Sequence, residues 1–209
     1  SKIAIAKVKG FQGDKLDDFT TIAACAKHFA AYGFVEAGKE YNIVDMSNSK
    51  LYNSVLPPFK AAVDAGVLTF MNSFNTLNGI PATGSTFLQR DILKGDWGFN
   101  GFVVSDWGSI GEMITHGYAA DGVDAAKKAA IAGSDMDMES HIYVSELVSL
   151  VKKGIVKESV IDDATRRILR VKFALGLFDD PYKYCDEARE KASIGSKAHH
   201  NDVLKKEKK

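Results

Sequence analysis

The chain has little of several features that mark specialised protein classes. Its two cysteines, Cys25 and Cys185, lie far apart and form no Cys-x-x-Cys or Cys/His spacing, so neither a zinc site nor a disulfide framework is predicted. No apolar run approaches the ~20 residues of a membrane span, and the first residues lack the apolar stretch of a signal peptide. Lys and Arg total 27, as do Asp and Glu, so no charge excess favours nucleic acid or an anionic membrane as a partner.

The composition and the pattern of apolar residues predict an α/β fold. The chain has 209 residues and is 45% hydrophobic, which is enough for a buried core. Apolar, strand-like runs end in polar residues and alternate with helical segments, as in a parallel sheet. Three of these runs lie in the segments VLTFMNSFN, GFVVSDWG and GSDMDM. A further segment, TIAACAKHFAAYG, is interpreted as a strand, although its alanines also favour a helix.

Asp106 is the sharpest candidate for chemistry. It directly follows the apolar strand Phe102–Val104, and side chains at the ends of parallel strands are the functional ones in α/β barrels. The alternative is a helix N-cap, since a helix is predicted to begin just after Gly108.

Other polar residues follow strand-like runs, and each has a structural alternative. Lys27 and His28 can both donate hydrogen bonds to sugar hydroxyls; the alternative is that Lys27 is a surface residue and His28 a hydrogen-bonded core histidine. Trp107 is either core filling or a platform for a sugar ring. The alternating series Asp135, Asp137, Glu139 and His141 resembles a set of metal ligands, but alternation is also the default at a strand end. No metal and no cofactor are expected.

The number of β-α units predicts an incomplete barrel. Two helices are expected between Val144 and Phe178 with a break at Gly154, and the composition becomes charged after Pro181. Four β-α units correspond to about half of a (β/α)8 barrel. We therefore predict a partial TIM-type barrel comprising roughly its last four β-α units, with residues 1–185 as the half-barrel and residues 186–209 as a charged linker or frayed helix.

Several motifs, in this order, resemble the barrel domain of family 3 glycoside hydrolases, with the bacterial periplasmic β-glucosidases as the nearest group. The similarity spans roughly residues 15–185, and the combination of KHF with SDW is highly specific. The matching segments are KHFAAYGFVEAGKEYNIVDMS, LPPFKAAVDAGVLTFMNSFNTLNGIPA, LKGDWGFNGFVVSDWGSI and IDDATRRILRVKFALGLFDDPY.

The resemblance implies a retaining exo-acting β-glucosidase that hydrolyses terminal β-D-glucosyl residues through a covalent intermediate on Asp106. It also implies that Lys27 and His28 bind hydroxyls of the sugar in the first subsite, and that Trp107 lines the same subsite. Phe74 occupies a substrate-binding position where some relatives have a tyrosine, so a hydroxyl contact to the nucleophile is not expected there. A periplasmic or secreted location also follows from the resemblance.

The resemblance further implies that the site is incomplete in this chain. In these β-glucosidases the acid/base is a glutamate of a following α/β sandwich domain, so the expected partners are an N-terminal half-barrel, that sandwich domain and a β-glucoside or oligosaccharide substrate. The isolated chain is expected to have little or no activity. Two alternatives stay open, a β-xylosidase of the same family and a non-catalytic carbohydrate-binding half-barrel.

Overall fold

The structure is a computed structural model that describes residues 1–207. Contacts divide the chain into two compact units, Ser1–Leu175 and a smaller unit that begins at Gly176. All the candidate site residues lie in the first unit. The helices are α1 (Lys2–Gln12), α2 (Asn48–Lys50), α3 (Pro57–Asp64), α4 (Ser109–Thr115), α5 (Gly122–Ala132), α6 (Ile142–Lys152), α7 (Glu158–Ala174), α8 (Glu187–Ser193) and α9 (Lys197–Glu207). The described residues also include two π-helical segments, Leu51–Val55 and Phe87–Asp96, and three short 3-10 helices, Tyr32–Phe34, Glu36–Gly38 and Ala82–Gly84.

The main sheet of the first unit is parallel, as the sequence predicted. The strands are β1 (Cys25–Phe29), β2 (Ile43–Val44), β3 (Thr69–Asn72), β4 (Thr76–Leu77), β5 (Ile80–Pro81) and β6 (Phe102–Val104). The main sheet has the order β1-β3-β6, and Thr69 of β3 pairs with both Cys25 and Phe102. The segment TIAACAKHFAAYG therefore contains a strand and not a helix.

The fourth predicted strand, in GSDMDM, is reduced to a single bridge. Met136 forms one parallel bridge with Val104. One position earlier, the carboxylate of Asp135 accepts the Val103 N–H at 2.8 Å, which is a donor that a full strand would pair with a backbone carbonyl. A side chain thus replaces one bond of the backbone ladder, while the Ser105 N–H still donates to the Met136 carbonyl at 2.9 Å.

A smaller sheet has the order β2-β4-β5. The tight turn between β4 and β5 is Asn78-Gly79, with φ values of 51° and 82°, which is the dipeptide that such hairpin turns favour. The Asn78 side chain also exchanges two hydrogen bonds with the backbone of Met46, at 2.9 and 3.0 Å. The hairpin is thereby attached to the segment that leads into α2.

Local sequence explains where the flanking helices begin and end. The Asp121 side chain accepts the Asp124 N–H and caps α5, an alanine-rich helix that ends at Gly133, where φ is 108°. The predicted helix break at Gly154 is confirmed, because α6 ends and α7 begins on either side of it. Arg167 of α7 donates to the carbonyls of Phe99 and Gly101, at 2.8 and 3.0 Å. The turn that precedes β6 is therefore tied to α7.

The core beneath the sheet is strongly aromatic. Phe29 and Phe70 are fully buried with their ring centroids 5.3 Å apart in an edge-to-face arrangement, and Phe70 makes a similar contact with Phe99 at 4.9 Å. Phe59 and Trp97 pack on the Phe29 ring from the helical side. Aromatic rings from β1, from β3 and from the turn that precedes β6 thus pack together in the core of the first unit.

The smaller unit contains α8 and α9 in the segment where a linker or frayed helix was expected. The Asp186 side chain accepts the Arg189 N–H and caps α8, and the described residues of both helices are largely exposed. The division into residues 1–185 and 186–209 stays a prediction. Within residues 1–207, no helix is both long and apolar enough to cross a membrane.

Candidate active site

The parallel sheet brings the predicted polar strand ends to one edge. β1, β3 and β6 run in the same direction, so the residues that follow each strand lie at the carboxyl edge of the sheet. There the Nε2 atom of His28 lies 3.5 Å from the Oδ2 atom of Asp106. Two residues that are far apart in the sequence are therefore neighbours across the sheet edge.

Asp106 has one carboxylate oxygen bound and one unused. Oδ1 accepts the backbone N–H of Trp107 at 2.8 Å, whereas Oδ2 is buried and has no hydrogen-bond partner among residues 1–207. The N-cap alternative is wrong, because the residue that caps α4 is Gly108, with φ 67°, and no side chain caps that helix. A buried carboxylate oxygen without a partner is costly, and such groups occur where a ligand binds.

A network of backbone contacts fixes the segment that carries Asp106. The Ser105 N–H donates to the Met136 carbonyl at 2.9 Å, and the Gly108 N–H donates to the Met138 carbonyl at 2.8 Å. The fully buried hydroxyl of Ser105 accepts the Met138 N–H at 2.8 Å and donates to the carbonyl of Asp106. Residues on both sides of the carboxylate are thus fixed to one neighbouring segment.

A buried ion pair between Lys94 and Asp135 supports the segment around Met136. Lys94 Nζ lies 2.6 Å from Asp135 Oδ1 and also donates to the Gly133 carbonyl at 2.7 Å. Burial lowers the pKa of Lys94 to about 8 and raises the pKa of Asp135, while the attraction between the two charges opposes both shifts. Sequence reasoning missed Lys94, because nothing local predicts a partner 41 residues away.

The acidic series that resembles metal ligands is divided among separate structural roles. Asp135 forms the ion pair with Lys94, whereas Asp137 accepts hydrogen bonds from the Ser140 hydroxyl at 2.7 Å and the Tyr143 N–H at 3.1 Å. In the part of the chain that the structure describes, no group of three or more His, Cys, Asp or Glu side chains is arranged to hold a metal ion.

Lys27 and His28 lie within β1 (Cys25–Phe29), not after the strand as the sequence had indicated, and both are beside an open cavity. Lys27 is exposed and His28 is half-buried, and both line a cavity of about 360 Å³ together with Tyr32 and Phe34. The peptide bonds Lys27–His28 and Phe29–Ala30 are cis. Burial lowers the pKa of His28; the Asp106 carboxylate opposes this shift and the Lys27 charge adds to it. The imidazole beside the Asp106 carboxylate and the exposed ammonium group of Lys27 both provide donors for hydroxyl groups.

The polar segment after β3 is mainly structural. Asn72 donates to the Ser134 hydroxyl at 2.8 Å, and both Ser73 and Asn75 donate to the carbonyl of Ala30. These contacts hold the loops after β1 and β3 together.

The two aromatic site residues predicted from the sequence have different surroundings. Trp107 follows Asp106 and is 63% exposed, so it is not core filling. The Phe74 ring packs against Tyr41, with centroids 4.6 Å apart, and its carbonyl lies 3.1 Å from Nε2 of His116. Tyr41 was missed by sequence reasoning, because its contact with Phe74 depends on how two loops meet.

Comparison with known proteins agrees with this geometry. A family model described as "Glycosyl hydrolase family 3 N terminal domain" matches residues 1–171. The chain is 49% identical over 177 residues to the "Periplasmic beta-glucosidase" of Salmonella typhimurium, a match that covers 85% of this chain and 23% of that protein. It is 35% identical over 188 residues to the "Xylan 1,4-beta-xylosidase" of Xylanibacter ruminicola, covering 87% of this chain and 21% of that protein.

Solved structures give the same result. The chain superposes on the β-glucosidase from Listeria innocua, solved in complex with isofagomine, with a TM-score of 0.87 and 44% identity, over 89% of this chain and 26% of that one. A β-glucosidase involved in saponin metabolism from intestinal bacteria gives a TM-score of 0.88 and 39% identity, over 96% of this chain and 27% of that one. The chain spans only about a quarter of the length of these relatives. The mixed α/β fold, the matched motifs and these similarities together show that the chain belongs to glycoside hydrolase family 3, with a fold similar to the N-terminal, TIM-barrel domain of that family.

Proposed function

We propose that this chain carries the nucleophile and first sugar subsite of a retaining, exo-acting β-glucosidase that hydrolyses terminal β-D-glucosyl residues. The observation that carries this proposal is the buried, unpartnered Oδ2 atom of Asp106, 3.5 Å from His28 at the carboxyl edge of the sheet. An attacking oxygen must be free of competing hydrogen bonds and close to groups that orient the sugar. The names of the Salmonella and Listeria relatives support glucose as the sugar.

The proposed reaction has two steps with Asp106 as the covalent centre. In the first step Oδ2 attacks the anomeric carbon, the bond from that carbon to the glycosidic oxygen breaks, and a protonated carboxyl group gives its proton to the departing oxygen. In the second step water attacks the same carbon, the bond to Asp106 breaks, and the second carboxylate takes a proton from the water. Lys27 and His28 donate to sugar hydroxyls throughout, and Trp107 lines the subsite.

We infer that the second carboxyl group lies outside this chain. A retaining enzyme needs two carboxyl groups about 5 Å apart, and the family resemblance assigns the acid/base to a sandwich domain. The relatives are about four times longer than the segment that this chain matches, which leaves room for that domain and for the first half of a barrel. The chain alone is then the last four β-α units of the barrel and has little or no hydrolytic activity.

A β-xylosidase is the second candidate. The match to the Xylanibacter xylan 1,4-β-xylosidase covers 87% of this chain, and xylose differs from glucose by lacking the hydroxymethyl group at C5. Lys27, His28 and Asp106 serve either sugar equally well. The ratio of kcat/KM for aryl β-glucoside and aryl β-xyloside, measured on the whole protein that carries this chain, decides between the two.

We infer a periplasmic or secreted location for the whole protein. The name of the Salmonella relative supports this location. Cell fractionation of the native host, followed by detection with an antibody to residues 1–175, tests it directly.

Trapping with a 2-fluoro-β-glucosyl fluoride tests the central proposal. The fluorine slows both steps, but the good leaving group allows the first, so a retaining enzyme accumulates as its glycosyl ester. We expect stoichiometric labelling of Asp106 in the whole protein, located by peptide mass spectrometry, and no labelling of the isolated chain. Label on another carboxylate would refute the nucleophile assignment. If the whole protein binds the sugar but never becomes labelled, the non-catalytic carbohydrate-binding half-barrel is the correct alternative.

A further inference from the structure

A row of aromatic rings leads from the nucleophile to the protein surface. His28, the neighbour of Asp106, meets the Tyr32 ring edge-on with centroids 5.4 Å apart. Tyr32 is followed by Phe74 at 6.0 Å, and Phe74 is followed by Tyr41 at 4.6 Å. Tyr41 is 47% exposed, so the row ends in solvent. We call Tyr32, Phe74 and Tyr41 the aromatic row.

The exposed end of the aromatic row is held in an unfavourable backbone conformation. Tyr41 has φ 64°, a left-handed conformation that is rare for a bulky residue and costs on the order of 1–3 kcal/mol. Its ring nevertheless stays against Phe74 and remains half in solvent. Strained residues of this kind cluster at ligand-binding sites, because the surrounding structure holds them ready for the ligand.

Glu112 places an unused polar group beside the aromatic row. It lies on α4, one turn before His116, whose Nε2 contacts the Phe74 carbonyl at 3.1 Å, so both residues share one face of that helix. Among the described residues, the Oε2 atom of Glu112 has no hydrogen-bond partner although it is buried. Burial raises the pKa of Glu112, and the charge of Asp106 raises it further. Burial raises the pKa of Tyr41, and the charge of Glu112 raises it further.

We propose that the aromatic row and Glu112 form the subsite for the leaving-group part of the substrate, and that they select leaving groups with a ring and a hydroxyl group. This inference rests on the proposed function. The cleaved sugar occupies the inner end beside Asp106, so the outer end faces the part that departs. The aromatic faces stack on a sugar or aryl ring, and the unused oxygen of Glu112 binds one of its hydroxyl groups.

The test compares substrates that share the glucosyl group and differ only in what departs. β-Glucosyl fluoride has a leaving group without a ring, an aryl β-glucoside has a ring without hydroxyl groups, and a β-linked glucose disaccharide has both. In the whole protein, we expect Tyr41→Ala to lower kcat/KM for the disaccharide and the aryl glucoside about fivefold more than for the fluoride, because one stacking contact is lost. Tyr41→Phe keeps the ring and should preserve these ratios.

Tyr52→Ala is the matched control for Tyr41→Ala. Tyr52 is exposed to a similar degree, 44%, but it lies beside Leu56, Lys60 and Trp97 and away from Asp106. Its removal should leave all three kcat/KM values at those of the unmodified protein. Equal losses on all three substrates in the Tyr41→Ala protein would show that Tyr41 only supports the fold, and this would overturn the proposal.

Glu112 is tested by the same ratios. Glu112→Leu should lower kcat/KM for the disaccharide relative to the aryl glucoside about tenfold, the usual size of a lost hydrogen bond to a charged group, while Glu112→Gln should lose less. If azide restored the turnover of Glu112→Gln by forming a glucosyl azide, Glu112 would be the acid/base and not a binding residue. Failure of Asp106 to become labelled in the unmodified protein refutes the proposed function, whereas unchanged ratios with normal labelling refute only this inference.

Discussion

The ends of β6 and β1 carry neighbouring parts of one site but are built differently. β6 is bounded on one side by β3 and on the other by the segment around Met136, whereas among residues 1–207 β1 pairs only with β3. Asp106 at the end of β6 is 7% exposed, while Lys27 at the end of β1 is exposed. The proposed nucleophile is therefore embedded, and the proposed sugar-binding pair lies at an edge of the described sheet.

This difference follows from what each group has to do. An attacking oxygen must be held within a fraction of an ångström of its reacting position, which requires support from several directions. Donors to hydroxyl groups tolerate more variation, since a hydroxyl can rotate toward them. With these proposed roles, one sheet holds a rigid carboxylate at the end of β6 and more adaptable hydrogen-bond donors in β1.

The largest effect is expected from removing the nucleophile. Asp106→Asn should lower kcat/KM of the whole protein by on the order of 10⁴-fold, because the amide oxygen cannot form the ester intermediate. Asp91→Asn removes an exposed carboxylate from the segment Phe87–Asp96 and should leave kcat/KM unchanged. Steady-state kinetics with an aryl β-glucoside measures both. Activity of the Asp106→Asn protein within a few-fold of normal would show that the buried strand end is not the reacting one.

The next largest effect, on the free energy of unfolding, is expected at the buried ion pair between Lys94 and Asp135. Lys94→Met leaves the buried Asp135 carboxylate without its partner and should lower the free energy of unfolding by about 3–5 kcal/mol. Lys60→Met removes one partner of the exposed pair Lys60–Asp64 on α3 and should cost less than about 1 kcal/mol. Urea unfolding of the 209-residue chain measures both variants.

A double variant distinguishes a lost interaction from lost packing at this pair. In Lys94→Met/Asp135→Leu both charges are absent, so most of the lost stability should return. Equal effects of Lys94→Met and Lys60→Met would contradict the view that β6 depends on buried support.

A smaller loss of stability is expected from a side chain at Gly101, which would push β3 and β6 apart. A Cβ atom at Gly101 would lie 2.0 Å from the Leu68 carbonyl oxygen, so Gly101→Ala should lower the free energy of unfolding by about 1–3 kcal/mol. Gly10→Ala in α1 meets no atom within 4 Å and should increase stability by about 0.5–1 kcal/mol. Urea unfolding measures both variants, and we expect changes of opposite sign in the free energy of unfolding. A stabilising Gly101→Ala would contradict the close approach of the strands.

The smallest effect concerns the contact between the two strand ends. The folded chain lowers the pKa of His28, so as the pH falls below the unfolded value of about 6.5, the unfolded chain takes up a proton that the folded chain does not. Stability from this group is therefore lost as the pH falls through that window. The Asp106 carboxylate opposes the shift, so in Asp106→Asn the pKa of His28 should fall further. NMR titration of the His28 imidazole C–H signal, compared between the unmodified protein and Asp106→Asn, measures this pKa. An unchanged or raised pKa of His28 in Asp106→Asn would contradict the pairing.

Local patterns were sufficient for the three strands of the main sheet and for the helix break at Gly154. The structure adds the contacts across long sequence separations, such as Lys94 with Asp135 and Tyr41 with Phe74. No local pattern predicts these contacts, because each partner has an ordinary environment within its own segment. The half-barrel arrangement, the domain division and the roles of the site residues stay predictions.

The sequence by itself determined that an apolar strand ends in Asp106 and that Lys27 and His28 end another, because strand periodicity and strand-end position are local properties. Only the tertiary structure decided that His28 lies beside the free oxygen of Asp106, that Asp135 pairs with Lys94 and accepts the Val103 N–H, and that Glu112 lies beside the aromatic row. Distances across a sheet edge depend on how parallel strands align in register, and that alignment is set by the packing of the whole first unit.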